Sequence, residues 1–263
     1  MIATPLMEKN NSASRLLRLF HDNQGKQQNT QVLSVWAEAF GLPSQLPQTD
    51  MAVELSALLG TADRELQSIK TALLARGVPE GLVVPYIERG RSAVSTTLLS
   101  ATWSNVTQYF AQDTLLAFQW FAYLLDQEAQ AVSPEDVAKL LEEMASLETE
   151  LLTAELSPGL KQFLLSHLKA MQDALRHSRI AGVKPIQRAV RTVQNDCELE
   201  GEQLSAEVQA TPDKSTAQKV GEKFAAVWKK AVELSGDVEK IQKGAKVLTE
   251  TSIAVITSIV DKS

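Results

Sequence analysis

The side chains best suited to acid–base or metal chemistry in this sequence are its three histidines, His21, His167 and His177. Metal ligands on a helix lie three or four residues apart, because those positions share a face. His167 and His177 are separated by ten positions, which on one helix turns them about 80° apart and moves them about 15 Å along the axis. They therefore cannot share a metal ion on a straight helix. Asp173 precedes His177 by four residues and is spaced to hydrogen-bond it, but no nucleophile accompanies the pair, so a surface pair is the favoured interpretation.

Acidic side chains between residues 142 and 155 are the next candidates, because carboxylates hold metals inside some helical bundles. They are Glu142, Glu143, Glu148, Glu150 and Glu155. Such sites add a Glu-x-x-His motif on the facing helices, and this sequence contains none. The carboxylates are therefore interpreted as a solvated helix face. Cys197 is the single cysteine and stands among acids, which oppose formation of a reactive thiolate.

Motifs for nucleotide binding and hydrolysis are missing as well. The sequence has no G-x-x-x-x-G-K-[ST], G-x-G-x-x-G, G-x-S-x-G or H-E-x-x-H. We therefore predict that the protein is not an enzyme, with no catalytic residue, no metal ligand, no cofactor and no small-molecule substrate.

A basic cluster between residues 174 and 195 contains no acid. Its members are Arg176, Arg179, Lys184, Arg188 and Arg191. Arg188 and Arg191 share a helix face, so the arginines could contact nucleic-acid phosphates or an acidic partner. Aromatic residues are not interleaved and the net charge is −6, so pairing with the acidic run that follows is the favoured alternative.

Length and composition describe a globular chain. Its 263 residues are 44% hydrophobic and 22% charged, enough to bury a core without disulfides. One cysteine suits a reducing compartment, and the N-terminus lacks the apolar run of a signal peptide. The longest apolar stretch, residues 114–125, is too short to cross a bilayer. We expect a cytoplasmic protein.

The dominant period of apolar residues is 3.6, which predicts helices. In the first half, we expect helices at residues 11–20, 32–40 and about 50–76, and a turn-rich connector at 77–91, which contains several glycines and prolines. Residues 93–125 carry a single charge, Asp113, and apolar groups in all directions. That pattern predicts one central, fully surrounded helix, with a possible bend near residues 112–113.

Helix starts are clearest at Ser133-Pro134 and Ser157-Pro158, each an N-cap serine followed by proline. The two helices should pair antiparallel, and Gly182 should end the second before Pro185 opens another, to about residue 194. Residues 195–211 hold five acids and no base, so they are either a solvated helix or a linker.

The C-terminal segment has the most regular apolar pattern in the chain. Twelve positions from Val220 to Ile259 alternate in steps of four and three, and only Ser252 is polar. The residues expected to bind a partner through this stripe are Phe224, Trp228, Leu234, Ile241, Leu248, Ile256 and Ile259. Three interpretations stay open: packing inside a bundle, association with a partner or a second copy, and binding to a membrane surface with the help of the segment's lysines.

Residues 133–190 resemble a helical segment that recurs in uncharacterised bacterial proteins. The resemblance rests on the two Ser-Pro starts, on Leu-Lys-x-Phe-Leu at residues 160–164 and on Ile180-Ala181-Gly182. It covers under a quarter of the chain and implies no activity. Some of these proteins belong to conflict or phage-defence systems, so the resemblance implies a bacterial, antiviral-defence setting.

The sequence thus predicts an all-α protein: a multi-helix bundle with a central hydrophobic helix, followed by a C-terminal amphipathic helical hairpin or long helix. The expected domains are a bundle at 1–195, an acidic connector at 196–212 and the amphipathic segment at 213–263. The expected function is regulation or interaction through helix-mediated association with a protein partner or within a homo-oligomer. The alternatives are a membrane-acting effector that uses the C-terminal helices and, less expected, a nucleic-acid-contacting factor that uses residues 176–191.

Overall fold

The computed structural model describes residues 9–128 and 130–236, and helices account for most of them. No strand occurs among these residues, where the only β-type pairing is an isolated bridge between Gln31 and Thr102. The all-α fold class is therefore confirmed. The helices are α1 (Ser12–Gln24), α2 (Val32–Phe40), α3 (Gln48–Ala75), α4 (Glu80–Ala93), α5 (Ser104–Thr107), α6 (Gln112–Leu124), α7 (Pro134–Thr153), α8 (Pro158–Ala181), α9 (Lys184–Leu199), α10 (Gly201–Ala210) and α11 (Lys214–Ser235).

Contacts divide the chain into two compact units, each with its own hydrophobic core. Unit 1 comprises Met1–Ala131 with Arg179–Gly182, and unit 2 comprises Val132–Ser178 with Val183–Ser263. This division differs from the boundary that the sequence placed at residues 196–212. That acidic stretch contains the end of α9 and all of α10, and it buries Cys197 and Val208 in the core of unit 2. Three of its acids, Glu198, Glu200 and Glu202, are exposed on these packed helices, which explains why the charge of the stretch resembles that of a linker.

The core of unit 1 is built around aromatic rings. Trp36 and Trp103 meet edge to face with their centroids 5.2 Å apart, and Phe110 lies 5.8 Å from Trp103 and 5.0 Å from Phe20. All four side chains are fully buried. Aromatic pairs at these separations add to the hydrophobic stabilisation that burial provides.

The single helix predicted for residues 93–125 is wrong. The segment breaks into 3-10 turns at Thr96–Leu98 and Gln108–Phe110, the short α5 and finally α6. Between them, the backbone bonds to residues 28–33: Trp103 N donates to Thr30 O at 2.7 Å, and Val32 N donates to Ala101 O at 2.9 Å. These long-range bonds replace helical ones, so the hydrophobic helix of this segment is α6 alone.

The connector predicted at residues 77–91 is also wrong, because most of the 14-residue helix α4 lies there. Pro85 lies near the start of α4, where it removes one helical hydrogen bond, to the carbonyl of Gly81. Gly90 allows a close approach, since a Cβ atom there would lie 2.9 Å from a methyl group of Leu66 and 3.2 Å from the Phe118 ring. Gly90 therefore reflects close packing within a helix rather than a loop.

Unit 2 packs α7, α8, α9, α10 and α11 around one core. Ser133 caps α7 as predicted, accepting from Asp136 N at 3.3 Å. Contacts between Glu148 and Gln172 (3.0 Å) and between the Leu152 carbonyl and Lys161 (3.2 Å) follow the predicted antiparallel course of α7 and α8.

The start of α8 is capped differently from the sequence-based expectation. Glu207 of α10 accepts a bond from Gly159 N at 3.2 Å, while Thr211 Oγ1 accepts from Ser157 N at 3.1 Å. A Cβ atom on Gly159 would lie 2.5 Å from the Glu207 carboxyl carbon. A carboxylate from a distant helix therefore occupies the positive end of the α8 dipole, where the sequence pattern had assigned the Ser157 hydroxyl.

Helix α11 is capped by Asp213, whose carboxylate accepts from Ser215 N and Thr216 N. It ends at Ser235, where Gly236 adopts the left-handed conformation with φ 68°. A left-handed glycine after the last helical residue is a common helix stop, and it ends α11 here. The choice between a hairpin and one long helix concerns residues 237–263, which lie outside the described residues.

Candidate protein-interaction surface

Helix α6 has one buried face and one exposed apolar face. Phe118, Phe121 and Ala122 pack into the core of unit 1, where α6 contacts α1 and α4. The opposite face carries Leu116, Trp120, Tyr123 and Leu124, and we call these four side chains the α6 ridge. Their spacing of four, three and one places them on one side of a helix.

The α6 ridge is strongly exposed for apolar side chains. Leu116 is 52% exposed, Trp120 58%, Tyr123 57% and Leu124 38%. The Trp120 and Tyr123 rings meet edge to face with centroids 6.1 Å apart. The four side chains of the α6 ridge together present on the order of 400 Å² of apolar surface, within the size range of functional patches on soluble proteins. Trp and Tyr are also the side chains most enriched where binding energy concentrates.

Charged groups lie at the C-terminal end of the α6 ridge. Lys9 Nζ lies 5.1 Å from the centroid of the Tyr123 ring and donates to the carbonyls of Tyr123 at 2.6 Å and Leu125 at 3.2 Å. Arg76 donates to the Leu124 carbonyl and forms an ion pair with Asp126. Both cations bind at the negative end of the helix dipole.

An ion pair also marks the N-terminal end of the α6 ridge. Arg89 Nη1 lies 2.6 Å from Asp113 Oδ2, and both side chains are about half exposed. The hydrogen bond from Arg89 lowers the pKa of Asp113, and the same bond raises the pKa of Arg89. An apolar centre with charged groups of both signs at its edges is the usual anatomy of a protein–protein interface.

Buried hydrogen bonds hold the C-terminal end of α6 in place. Asn11 caps α1 and donates from Nδ2 to the Ala122 carbonyl at 2.9 Å, with Asn11 itself buried. Arg15 forms two hydrogen bonds to Glu128, at 2.7 and 2.9 Å, and a third to the Ile180 carbonyl at 2.7 Å. The α6 ridge therefore stands on a fixed scaffold rather than on a loop.

The three α11 residues that were predicted to bind a partner pack against the core of unit 2 instead. Phe224 is 7% exposed and Trp228 5%, both in the core of unit 2, and Leu234 is half-buried against that core. Helix α11 contacts α7 and α9. Of the three interpretations of the stripe, its described part adopts bundle packing, so Phe224 and Trp228 are core residues in this structure. Ile241, Leu248, Ile256 and Ile259 lie outside the described residues.

Two ion pairs explain the charges that flank the α11 stripe. Lys223 lies 2.6 Å from Glu150, and Lys230 lies 2.6 Å from Glu143. The two lysines are seven residues apart on α11, and the two glutamates are seven residues apart on α7 in the opposite order, as expected for antiparallel neighbours. Two of the carboxylates interpreted as a solvated face thus pair with lysines of α11.

The basic cluster does not form one free surface. Arg176 is buried and bonds to Asp173 at 3.1 Å, whereas Arg179 donates to the Ala39 carbonyl at 2.7 Å. Arg188 and Arg191 are exposed on α9. Arg176 and Arg179, both proposed to contact phosphates, are therefore engaged within the protein.

One histidine contact was not predicted from the sequence. His167 Nε2 lies 3.1 Å from Asp196 Oδ2, and the ring stacks on Phe163 with centroids 4.2 Å apart. Ser166 Oγ lies 3.1 Å from His167 Nδ1, yet its hydroxyl donates to the Phe163 carbonyl at 2.9 Å. The contact between His167 and Asp196 therefore links α8 to α9.

Across the described residues, no group of three or more His, Cys, Asp or Glu side chains is arranged to hold a metal ion. None of the helices there has the length and apolar character needed to cross a membrane. Comparisons with protein-family models, curated proteins and solved structures found no match for the chain.

The sequence reasoning missed the α6 ridge for an identifiable reason. It treated the apolar residues 93–125 as surrounded on all sides, so Trp120 and Tyr123 counted as core. The sequence does contain a signal for this exposed face. Apolar side chains surround nearly the whole circumference of α6, which is more than the single stripe that a helix at the surface of a bundle buries.

Proposed function

We propose that this is a non-enzymatic interaction protein of the cytoplasm that acts by helix-mediated association, and that the α6 ridge is the surface it uses. The observation that carries the proposal is the exposure of Trp120, at 58%, beside Leu116 and Tyr123 on the same helix face. An exposed tryptophan in an apolar stripe gains free energy when a partner removes it from water, at about 25 cal/mol per Å².

A protein partner suits this surface better than a nucleic acid. Phosphate binding requires cations free of neighbouring acids, whereas Arg89 pairs with Asp113 and Arg76 pairs with Asp126. A membrane surface would also favour an excess of positive charge around the apolar face. Charge of both signs around an apolar centre supports docking on another protein.

The bacterial and antiviral-defence setting stays part of this proposal through the resemblance of residues 133–190. A neighbouring gene for a nuclease or for an enzyme that makes a nucleotide signal would support that setting.

The proposed function is tested by hydroxyl-radical footprinting inside the cells that produce the protein, compared with the purified protein at high dilution. Trp120 and Tyr123 should be labelled at least threefold less in cells, because a partner covers them. Leu82 and Leu199, which are exposed elsewhere, serve as controls and should be labelled alike in both samples. Equal labelling of Trp120 in cells and at high dilution would contradict the proposal.

A further inference from the structure

We propose, building on the function above, that the partner of the α6 ridge is a second copy of this chain, with the two α6 helices packed antiparallel across a two-fold axis near Gln119 and Trp120. A two-fold axis brings the same patch of both copies together, so the patch must complement itself. Both the apolar side chains and the charges of the α6 ridge satisfy this condition in the same register.

The apolar side chains define that register. In an antiparallel pair, residues whose numbers add up to a constant lie opposite each other. A sum near 239 places Leu116 against Tyr123 of the other copy and brings the two Trp120 rings together at the axis. Leu124 then lies near Leu116 of the other copy and fills the space beside the indoles. Antiparallel helices in contact pack at 8–10 Å between axes, a distance that these side chains span.

The charges agree with the same register. Asp113 precedes Trp120 by seven residues, about 10 Å along the helix, and Lys9 binds carbonyls three and five residues after Trp120, about 5–8 Å along it. The antiparallel arrangement therefore brings Lys9 of one copy towards the Asp113 carboxylate of the other. Asp126, an exposed acid at the C-terminal end, likewise approaches Arg89 across the axis. A parallel arrangement would instead place each ion pair beside the identical ion pair of the other copy, where like charges meet.

The small size of the surface points to a weak pair. Two copies of the α6 ridge bury about 800 Å² together, less than the roughly 1,200 Å² of a standard stable interface. The pair should therefore be weak and reversible, with a dissociation constant in the micromolar range or above.

The first test is sedimentation of the full chain over a concentration series to about 1 mM. The wild type should shift from monomer to dimer, and Trp120→Glu should weaken the dimer by at least tenfold. Val53→Glu replaces an exposed apolar residue on α3 and is the matched control, which should dimerise like the wild type. A wild type that stays monomeric overturns the second copy as partner; the proposed function then stands only if Trp120 is protected in cells. A dimer that Trp120→Glu leaves intact overturns this inference as well.

The second test determines the register with a short bis-maleimide crosslinker. The native Cys197 is buried, so the wild type supplies the background. Gln119→Cys lies beside the axis and should crosslink to itself. Gln112→Cys should crosslink to Gln127→Cys in a mixture of the two variants and not to itself. Self-crosslinking of Gln112→Cys without the mixed product would mean a parallel pair and would overturn the antiparallel arrangement while leaving the proposed function intact.

Discussion

Helices α6 and α11 each carry a tryptophan in an apolar stripe, but the two stripes have opposite environments. Trp228 in α11 is 5% exposed and lies within the core of unit 2, whereas Trp120 in α6 is 58% exposed. From the sequence, docking on a partner was one of three open interpretations of the α11 stripe, and a surrounded helix was predicted for α6. Spacing alone therefore identifies a face that favours burial, and the neighbouring helices determine whether that face is already covered.

The largest effect on stability should come from truncating the buried tryptophan, Trp228. Trp228→Ala removes a large buried ring and should lower the free energy of unfolding by about 3–5 kcal/mol, measured by urea denaturation of the full chain. Trp120→Ala is the matched control and should change it by less than about 0.5 kcal/mol, because its ring is exposed. Equal losses for the two variants would mean that α6 and α11 are packed alike.

A smaller effect should follow from removing the buried bond that positions α6. Asn11→Ala removes the α1 cap and leaves the Ala122 carbonyl without its side-chain donor, so we expect a loss of about 2–3 kcal/mol in thermal or urea unfolding. Asn105→Ala changes an exposed asparagine of the same unit and should be within about 0.5 kcal/mol of the wild type. An unchanged stability for Asn11→Ala would show that α6 does not depend on this contact.

The ion pairs that flank the α11 stripe should contribute less. A double-mutant cycle with Lys230→Ala and Glu143→Ala should give a coupling energy below about 1 kcal/mol, since both side chains are partly exposed. Lys229→Ala lies next to Lys230 on an exposed position and should show no coupling with Glu143→Ala. A coupling above about 2 kcal/mol would indicate that charge, rather than apolar burial, holds α11 against α7.

Acid titration should report on one carboxylate at the start of α6 and on one at the start of α11. The hydrogen bond from Arg89 lowers the pKa of Asp113 at the start of α6, and hydrogen bonds from the Thr216 hydroxyl and backbone lower the pKa of Asp213 at the start of α11. The stabilisation from each carboxylate is therefore complete above the usual value of 3.8 and is lost as the pH falls through the lowered value.

Salt distinguishes the two carboxylates in this titration. High salt should raise the pKa of Asp113 more than that of Asp213, because an exposed ion pair is screened more than bonds to neutral donors. Carboxyl chemical shifts followed by NMR at low and high ionic strength measure both values. Asp213→Asn keeps a capping side chain without the titration and should remove the acid response at α11 alone. An equal response of both carboxylates to salt would contradict the assigned causes.

Local signals in the sequence predicted much of the fold. Helix α2 begins and ends at the predicted residues, Ser133 caps α7, and the left-handed Gly182 follows the end of α8. These features depend on a few neighbouring residues, so a single sequence is enough to find them.

Long-range contacts explain what the sequence did not predict. The break before α6 depends on backbone bonds to residues 28–33, and the cap of α8 depends on Glu207, 48 positions after Gly159. The α6 ridge follows from the same limit, because only the packed unit shows which side of α6 the neighbouring helices cover. A sequence window contains the side chains but not their partners.

The distribution of the four tryptophans has an optical consequence. Trp36, Trp103 and Trp228 are buried, and Trp120 alone faces water. Its indole should dominate the red edge of the emission spectrum and be the one emitter that a collisional quencher such as iodide reaches readily. The native chain therefore carries a built-in fluorophore at the α6 ridge, and a blue shift with loss of iodide quenching would report occupation of that surface in real time, with no label attached.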